Sequence, residues 1–116
     1  FTLGADSSGG SVNVNTRTYV GWQWAANSGT TSSNTDGNIT STVQSNQDAG
    51  FSIVTYTGNG TVGATVGHGL NEAPQIVIFK DRDATTDWNT YTETSGNGTY
   101  LDLNRANVPN SSGWLK

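Results

Sequence analysis

Short runs of alternating or continuous apolar residues recur along the chain, each closed by Gly, Asn, Ser or Asp, which is the pattern of short strands joined by turns. The runs predict strands at 11–15, 18–24, 38–44, 51–57, 60–66, 75–80, 87–93 and 99–104. No segment carries the 3.6-residue period of an amphipathic helix. In 18–24 the alternation places Val20, Trp22 and Trp24 on one face and Tyr19, Gly21 and Gln23 on the other. Residues 75–80 form the most continuously apolar run, which predicts a central strand; Pro74 suits the position just before it, where a missing N–H is tolerated.

The turn chemistry agrees. Thr57-Gly-Asn-Gly60 and Ser95-Gly-Asn-Gly98 each contain Asn-Gly, which accepts the positive φ angles of tight turns, so each predicts a hairpin. Ser111-Ser-Gly-Trp-Leu-Lys116 reads as the start of a further strand. Residues 27–37 have neither apolar residues nor periodicity and predict a linker. It separates a short β segment, 1–26, from a domain at 38–116. Two strands are at best marginally stable alone, so 1–26 needs a partner surface: the second part, a neighbouring subunit or a further module. The fold class expected is all-β, an antiparallel β-sandwich of jelly-roll or concanavalin A-like type.

Composition sharpens this picture. Thr, Gly, Asn and Ser make up 58 of the 116 residues, and strong helix formers are scarce, so local preference favours strands and turns throughout. Eleven aromatic residues argue against disorder, since they supply apolar area to bury. The net charge is −4 and the five basic residues are scattered, which leaves no cationic footprint for nucleic acid. No apolar run approaches the roughly 20 residues that span a bilayer as a helix. The absence of Cys removes disulfide frameworks and thiolate metal sites without fixing a compartment.

Taken in order, Tyr19-Val-Gly-Trp22-Gln-Trp24, Ser33-Asn-Thr-Asp-Gly37, Ala49-Gly-Phe-Ser-Ile-Val-Thr-Tyr-Thr-Gly58, Thr65-Val-Gly-His-Gly-Leu70, Ala73-Pro74 and Ile78-Phe-Lys-Asp-Arg-Asp83 resemble a family of marine and environmental bacteriophage structural proteins. These are tail-fibre-like or other virion surface proteins, often built from concanavalin A-like (laminin G-like) sandwich modules. The resemblance covers residues 1 to about 104. It implies virion building material at the virion surface or outside the cell, working with copies of itself and with other virion proteins, and it supplies no catalytic residues. Gln23 stands where that family often has Cys, and Thr92 where it often has His, so no site using a thiol or imidazole carries over.

Several constellations could carry chemistry. Trp22 and Trp24, with Tyr19, are candidate core or assembly anchors, because aromatic rings bury large area wherever they find it; the same tryptophans, if exposed and coplanar, would make a sugar platform. Trp88, Asn89 and Tyr91 are the candidate glycan site, two rings for stacking beside an amide. His68, the only histidine, lies between two glycines, which predicts a tight bend held by a local imidazole hydrogen bond. Asp81, Asp83 and Asp87 are a weak candidate for calcium, which takes oxygen ligands, against the plainer reading of a solvated strand end balanced by Lys80 and Arg82. Hydrolysis by paired carboxylates drawn from Asp83, Asp87 and Glu93 has no spacing signal behind it, and the four Asn-x-Ser/Thr triplets are what chance gives in so Asn- and Thr-rich a chain. The sequence therefore predicts a non-enzymatic, self-assembling module, with a glycan-binding module or a non-viral extracellular filament or adhesin subunit as alternatives.

Overall fold

A computed structural model describes residues 2–3, 12–26, 29–96, 98–106 and 109–111. Strands β1 (Ser32–Asn34), β2 (Ser41–Asn46) and β3 (Phe51–Tyr56) form one antiparallel sheet in that order. A second antiparallel sheet runs β4 (Ile76–Phe79), β5 (Asn89–Thr92), β6 (Thr99–Asp102) and β7 (Asn110–Ser111). The one helical turn among the described residues is the 3-10 turn Glu93–Ser95. The all-β, antiparallel class is thus as the sequence predicts, and the two sheets are the kind of layers from which sandwiches are made.

Local chemistry explains the two hairpins. Between β2 and β3 the Asn46 side chain accepts the Ala49 N–H at 3.0 Å and Gly50 turns with φ 63°. This fixes the register that pairs Val43 with Val54 and Asn46 with Phe51. Between β5 and β6, Thr92 caps the short turn by accepting the Ser95 N–H at 3.2 Å, and Gly96 and Gly98 take φ 78° and 81°. The Ser95–Gly98 signal therefore closes a hairpin as expected; Asn97 within it lies outside the described residues.

Other expectations are corrected. Asn59 and Gly60 do bend the chain, the Asn59 side-chain Oδ1 accepting the Thr61 N–H at 2.9 Å and Gly60 taking φ 71°, but no strand follows at 60–66. Only Val66 makes a bridge, parallel to Ile39. The following residues instead form a strap laid close over the first sheet, which needs glycine: a Cβ on Gly67 would lie 2.0 Å from Asn34 Oδ1, and one on Gly69 2.9 Å from Val43 Cγ1. Part of the expected linker is β1, whose Ser-Ser-Asn sequence pairs with β2 through backbone alone. Residues 12–15 and 18–24 form no strand; position 11, positions 27–28 and the 112–116 part of the last expected strand lie outside the described residues. Finally β4 is an edge strand, not a central one.

Burial is slight. Among the described residues Val43, 3% exposed, is the one buried hydrophobic side chain, beside Ser41, Thr90 and Asp102.

Candidate functional site

The strap and an N-terminal arm sandwich the first sheet. On one face, Ser41 Oγ donates to the Gly67 carbonyl at 3.2 Å and Ser52 Oγ to the His68 carbonyl at 2.6 Å, while Val43 lies beneath Gly69. His68 Nδ1 accepts the Leu70 N–H at 3.0 Å. The local role expected of His68 is what the geometry gives.

The opposite face carries Thr42, Gln44, Asn46, Phe51, Ile53 and Thr55 by the two-residue alternation. Asn46 Nδ2 donates to the Ala25 carbonyl at 3.2 Å and Gln44 Nε2 to the Gly29 carbonyl at 2.9 Å, tying the arm across this face. On the arm, the Trp22 and Trp24 ring centroids sit 6.5 Å apart with planes 15° from parallel. Trp24 stacks in turn on Phe51 at 5.7 Å and 10°. The result is a row of three near-parallel rings.

These tryptophans are not core. Trp22 is 74% and Trp24 62% exposed, and Val20 is exposed with them. Tyr19, also exposed, has its hydroxyl accepting the Val14 N–H at 3.0 Å, which holds a bend in the arm. Period-two alternation correctly put the rings on one side; it did not reveal Phe51 as their third member, although an aromatic at a strand start was visible. The core alternative for this trio is not realised among the described residues, where all three side chains stay exposed.

The other candidates are dispersed. Trp88 and Tyr91 are three residues apart on and beside β5, so they project to opposite faces of the sheet, and the expected Trp88, Asn89, Tyr91 cluster does not form; only Asn89 and Tyr91 share a face. Tyr91 instead lines a cleft of about 570 Å³ between the two sheets, with Gln47, Asn71, Glu72, Gln75 and Glu93. Asp87 is drawn away from Asp81 and Asp83: its Oδ1 meets Arg105 Nε at 2.8 Å and accepts from Asn104 Nδ2 at 3.0 Å. Asp81 Oδ1 accepts the Asp83 N–H at 2.9 Å, an ordinary turn bond. Among the described residues no group of three carboxylate, imidazole or thiol ligands converges, so the calcium candidate is withdrawn. Lys80 does not balance these acids either; its ammonium donates to the Asp81 and Ala84 carbonyls and to Thr86 Oγ1.

A family model described as Domain of unknown function (DUF7483) matches residues 1–115. The chain belongs to that family. The match takes in the aromatic arm, the strap and both sheets, and so runs across the boundary expected at 27–37. No curated protein and no solved structure matches it. No helix among the described residues is long and apolar enough to cross a membrane.

Proposed function

We propose that this DUF7483 chain is a non-enzymatic structural module that works by assembly, its aromatic arm docking against another copy or a neighbouring module. The observation that carries the reading is the pair Trp22 and Trp24, 74% and 62% exposed and stacked in a row with Phe51. Aromatic rings are enriched at the buried centres of protein–protein interfaces, and such a row is a surface that a partner can close over. Each stacked pair is worth about 0.5–1.5 kcal/mol beyond its area, whereas fixing each backbone residue costs about 1–2 kcal/mol. An arm held to the sheet by one ring contact, Trp24 on Phe51, and two side-chain hydrogen bonds gains most from a second surface closing over it.

The setting, a tail fibre, appendage or capsid-surface protein at the virion surface or outside the cell, rests on the resemblance of residues 1 to about 104 to bacteriophage structural proteins. Other virion proteins are then its further partners. Replacing both rings, Trp22→Ser with Trp24→Ser, tests the reading. The expected result is a lower assembly mass with the far-ultraviolet circular dichroism of the sheets retained; an unchanged assembly would refute the arm's role.

A second reading, host-glycan binding, now centres on the inter-sheet cleft, because Tyr91 lines it together with three amide-bearing residues and two glutamates. Aromatic faces with amide and carboxylate partners suit hydroxyl-rich ligands. A glycan array probed with the parent chain and with Tyr91→Ala decides it: binding lost in the variant supports the cleft, and silence from both removes it.

A further inference from the structure

The bend after β3 places a reactive pair, Asn59 and Gly60, in the open. Asn59 Oδ1 accepts the Thr61 N–H at 2.9 Å, which closes an Asx turn, a ring that already contains both Asn59 Cγ and the Gly60 nitrogen. Both residues are exposed. Gly60 has φ 71° and nothing within 4 Å of the position a Cβ would take, so neither a side chain of its own nor a neighbour on that side crowds its nitrogen. Among the described residues nothing accepts the Gly60 N–H, and nothing accepts from Asn59 Nδ2.

Elsewhere the same groups are engaged. Asn34 Nδ2 donates to Asp36 Oδ2 at 3.0 Å, Asn46 Nδ2 to the Ala25 carbonyl at 3.2 Å and Asn104 Nδ2 to Asp87 Oδ1 at 3.0 Å. After Asn38 the backbone nitrogen itself is taken, since the Ile39 N–H donates to the Thr65 carbonyl at 3.0 Å. In all of these the following residue also carries a Cβ, on Thr35, Ile39, Gln47 and Arg105.

We infer that Asn59-Gly60 is a site of spontaneous covalent modification, at which the folded chain exchanges the side-chain amide for a carboxylate with water as co-reactant. The Gly60 nitrogen gives its proton to solvent base and bonds to Asn59 Cγ; the Cγ–Nδ2 bond breaks, and Nδ2 takes up a proton and leaves as ammonia. Water then opens the cyclic imide at either carbonyl. One opening gives aspartate, the other an isoaspartyl link in which the main chain runs through Cβ and Cγ. Asparagine is among the thermolabile residues, and the bend exposes it to this reaction by its own chemistry: positive φ selects glycine, and glycine leaves the attacking nitrogen open. Neither residue belongs to a strand, and the chain is held on either side by β3 and by the Thr65 carbonyl. The sheets therefore outlast the change, which adds one negative charge to an acidic chain. The inference is independent of the assembly reading.

The test ages the full chain in native buffer and in urea, at mildly acidic and mildly alkaline pH, and follows acidic species by isoelectric focusing. Peptide fragmentation by mass spectrometry assigns each conversion to its residue, keeping Asn59 apart from Asn97, and isoaspartyl methyltransferase labels the rearranged product. Expected is conversion of Asn59 to both products in the native chain, faster at the higher pH, ahead of Asn34, Asn38 and Asn46, and at a rate close to that in urea. Gly60→Ala, which puts a methyl beside the nitrogen, should slow it severalfold. Asn59→Gln, which must close a larger ring, should remove the acidic species that forms at this position, and it decides the matter should Gly60→Ala fail to fold. Three results would overturn the inference: Asn59 surviving severalfold longer in the native chain than in urea, Asn59 converting no faster than Asn34, Asn38 and Asn46, or either variant acidifying as the parent does.

Discussion

Gly69→Ala is the sharpest probe of how the first sheet is held together. Gly69 has φ 71°, a left-handed conformation that costs an L-residue about 1–2 kcal/mol. The new methyl would also lie 2.9 Å from Val43 Cγ1 and 3.2 Å from Ser45 Oγ. Val43 is the one buried hydrophobic side chain among the described residues and sits under the strap, so relief means moving either Val43 or the strap. Overpacking of this kind costs about 1–3 kcal/mol. Against these stands about 0.4–1 kcal/mol gained because alanine stiffens the unfolded chain, for a net loss of about 2–4 kcal/mol. For a domain whose whole stability is of the order of 5–15 kcal/mol, that is a large share. Gly60→Ala is the matched control, with the same φ of 71° and nothing within 4 Å of its added Cβ. It should lose only about 1 kcal/mol. Urea unfolding of both variants at one protein concentration, followed by circular dichroism, measures the difference. Equal losses would show that contact with Val43 is not what the strap contributes, and the account of this sheet would fail.

Three further outcomes follow from particular contacts. Thr90→Val should leave the fold unchanged and raise stability by about 1 kcal/mol in the same urea assay, because Thr90 Oγ1 is buried without a hydrogen-bond partner and an isosteric methyl removes an unsatisfied group. Asp87→Asn should cost under about 1 kcal/mol, with the loss shrinking in high salt, since its Arg105 partner is well exposed and such pairs are weak and screened. Adding millimolar calcium should leave the thermal midpoint where it was, because a ligand stabilises only through a site that binds it, and Asp87 is engaged by Arg105 and Asn104 rather than by Asp81 and Asp83.

What sequence could reveal here follows from what each signal encodes. Asn-Gly and Gly-rich punctuation marked the turns at Asn59–Gly60 and before Thr99 because positive φ is a property of the residue itself. β3, β5 and β6 were legible from β-branched and aromatic runs between those turns. The strand expected at 18–24 was not realised, because alternation tells which residues share a side and says nothing about whether a neighbour will pair with the backbone. β1 was hidden for the converse reason: Ser-Ser-Asn has no apolar signature, and its place comes from β2 and from Asn34 packing on Gly67. Residues 76–79 read as central because a continuous apolar run implies cover on both sides, whereas the strand is an edge on which Ile76 and Ile78 stay exposed. The Trp88 and Tyr91 pairing was open to correction from spacing alone, since residues three apart in a strand face opposite ways. The partner of Asp87 was not, because Arg105 lies 18 positions away and only the β5–β6 hairpin brings it near.

The central claim is that this chain completes its burial by assembling. Sedimentation equilibrium of the unaltered chain from high to low micromolar concentration tests it most directly. The account predicts a mass that is a multiple of 12.2 kDa and falls on dilution, with the tryptophan emission shifting to the red as Trp22 and Trp24 return to water. A stable, folded 12.2 kDa monomer at every concentration would contradict it.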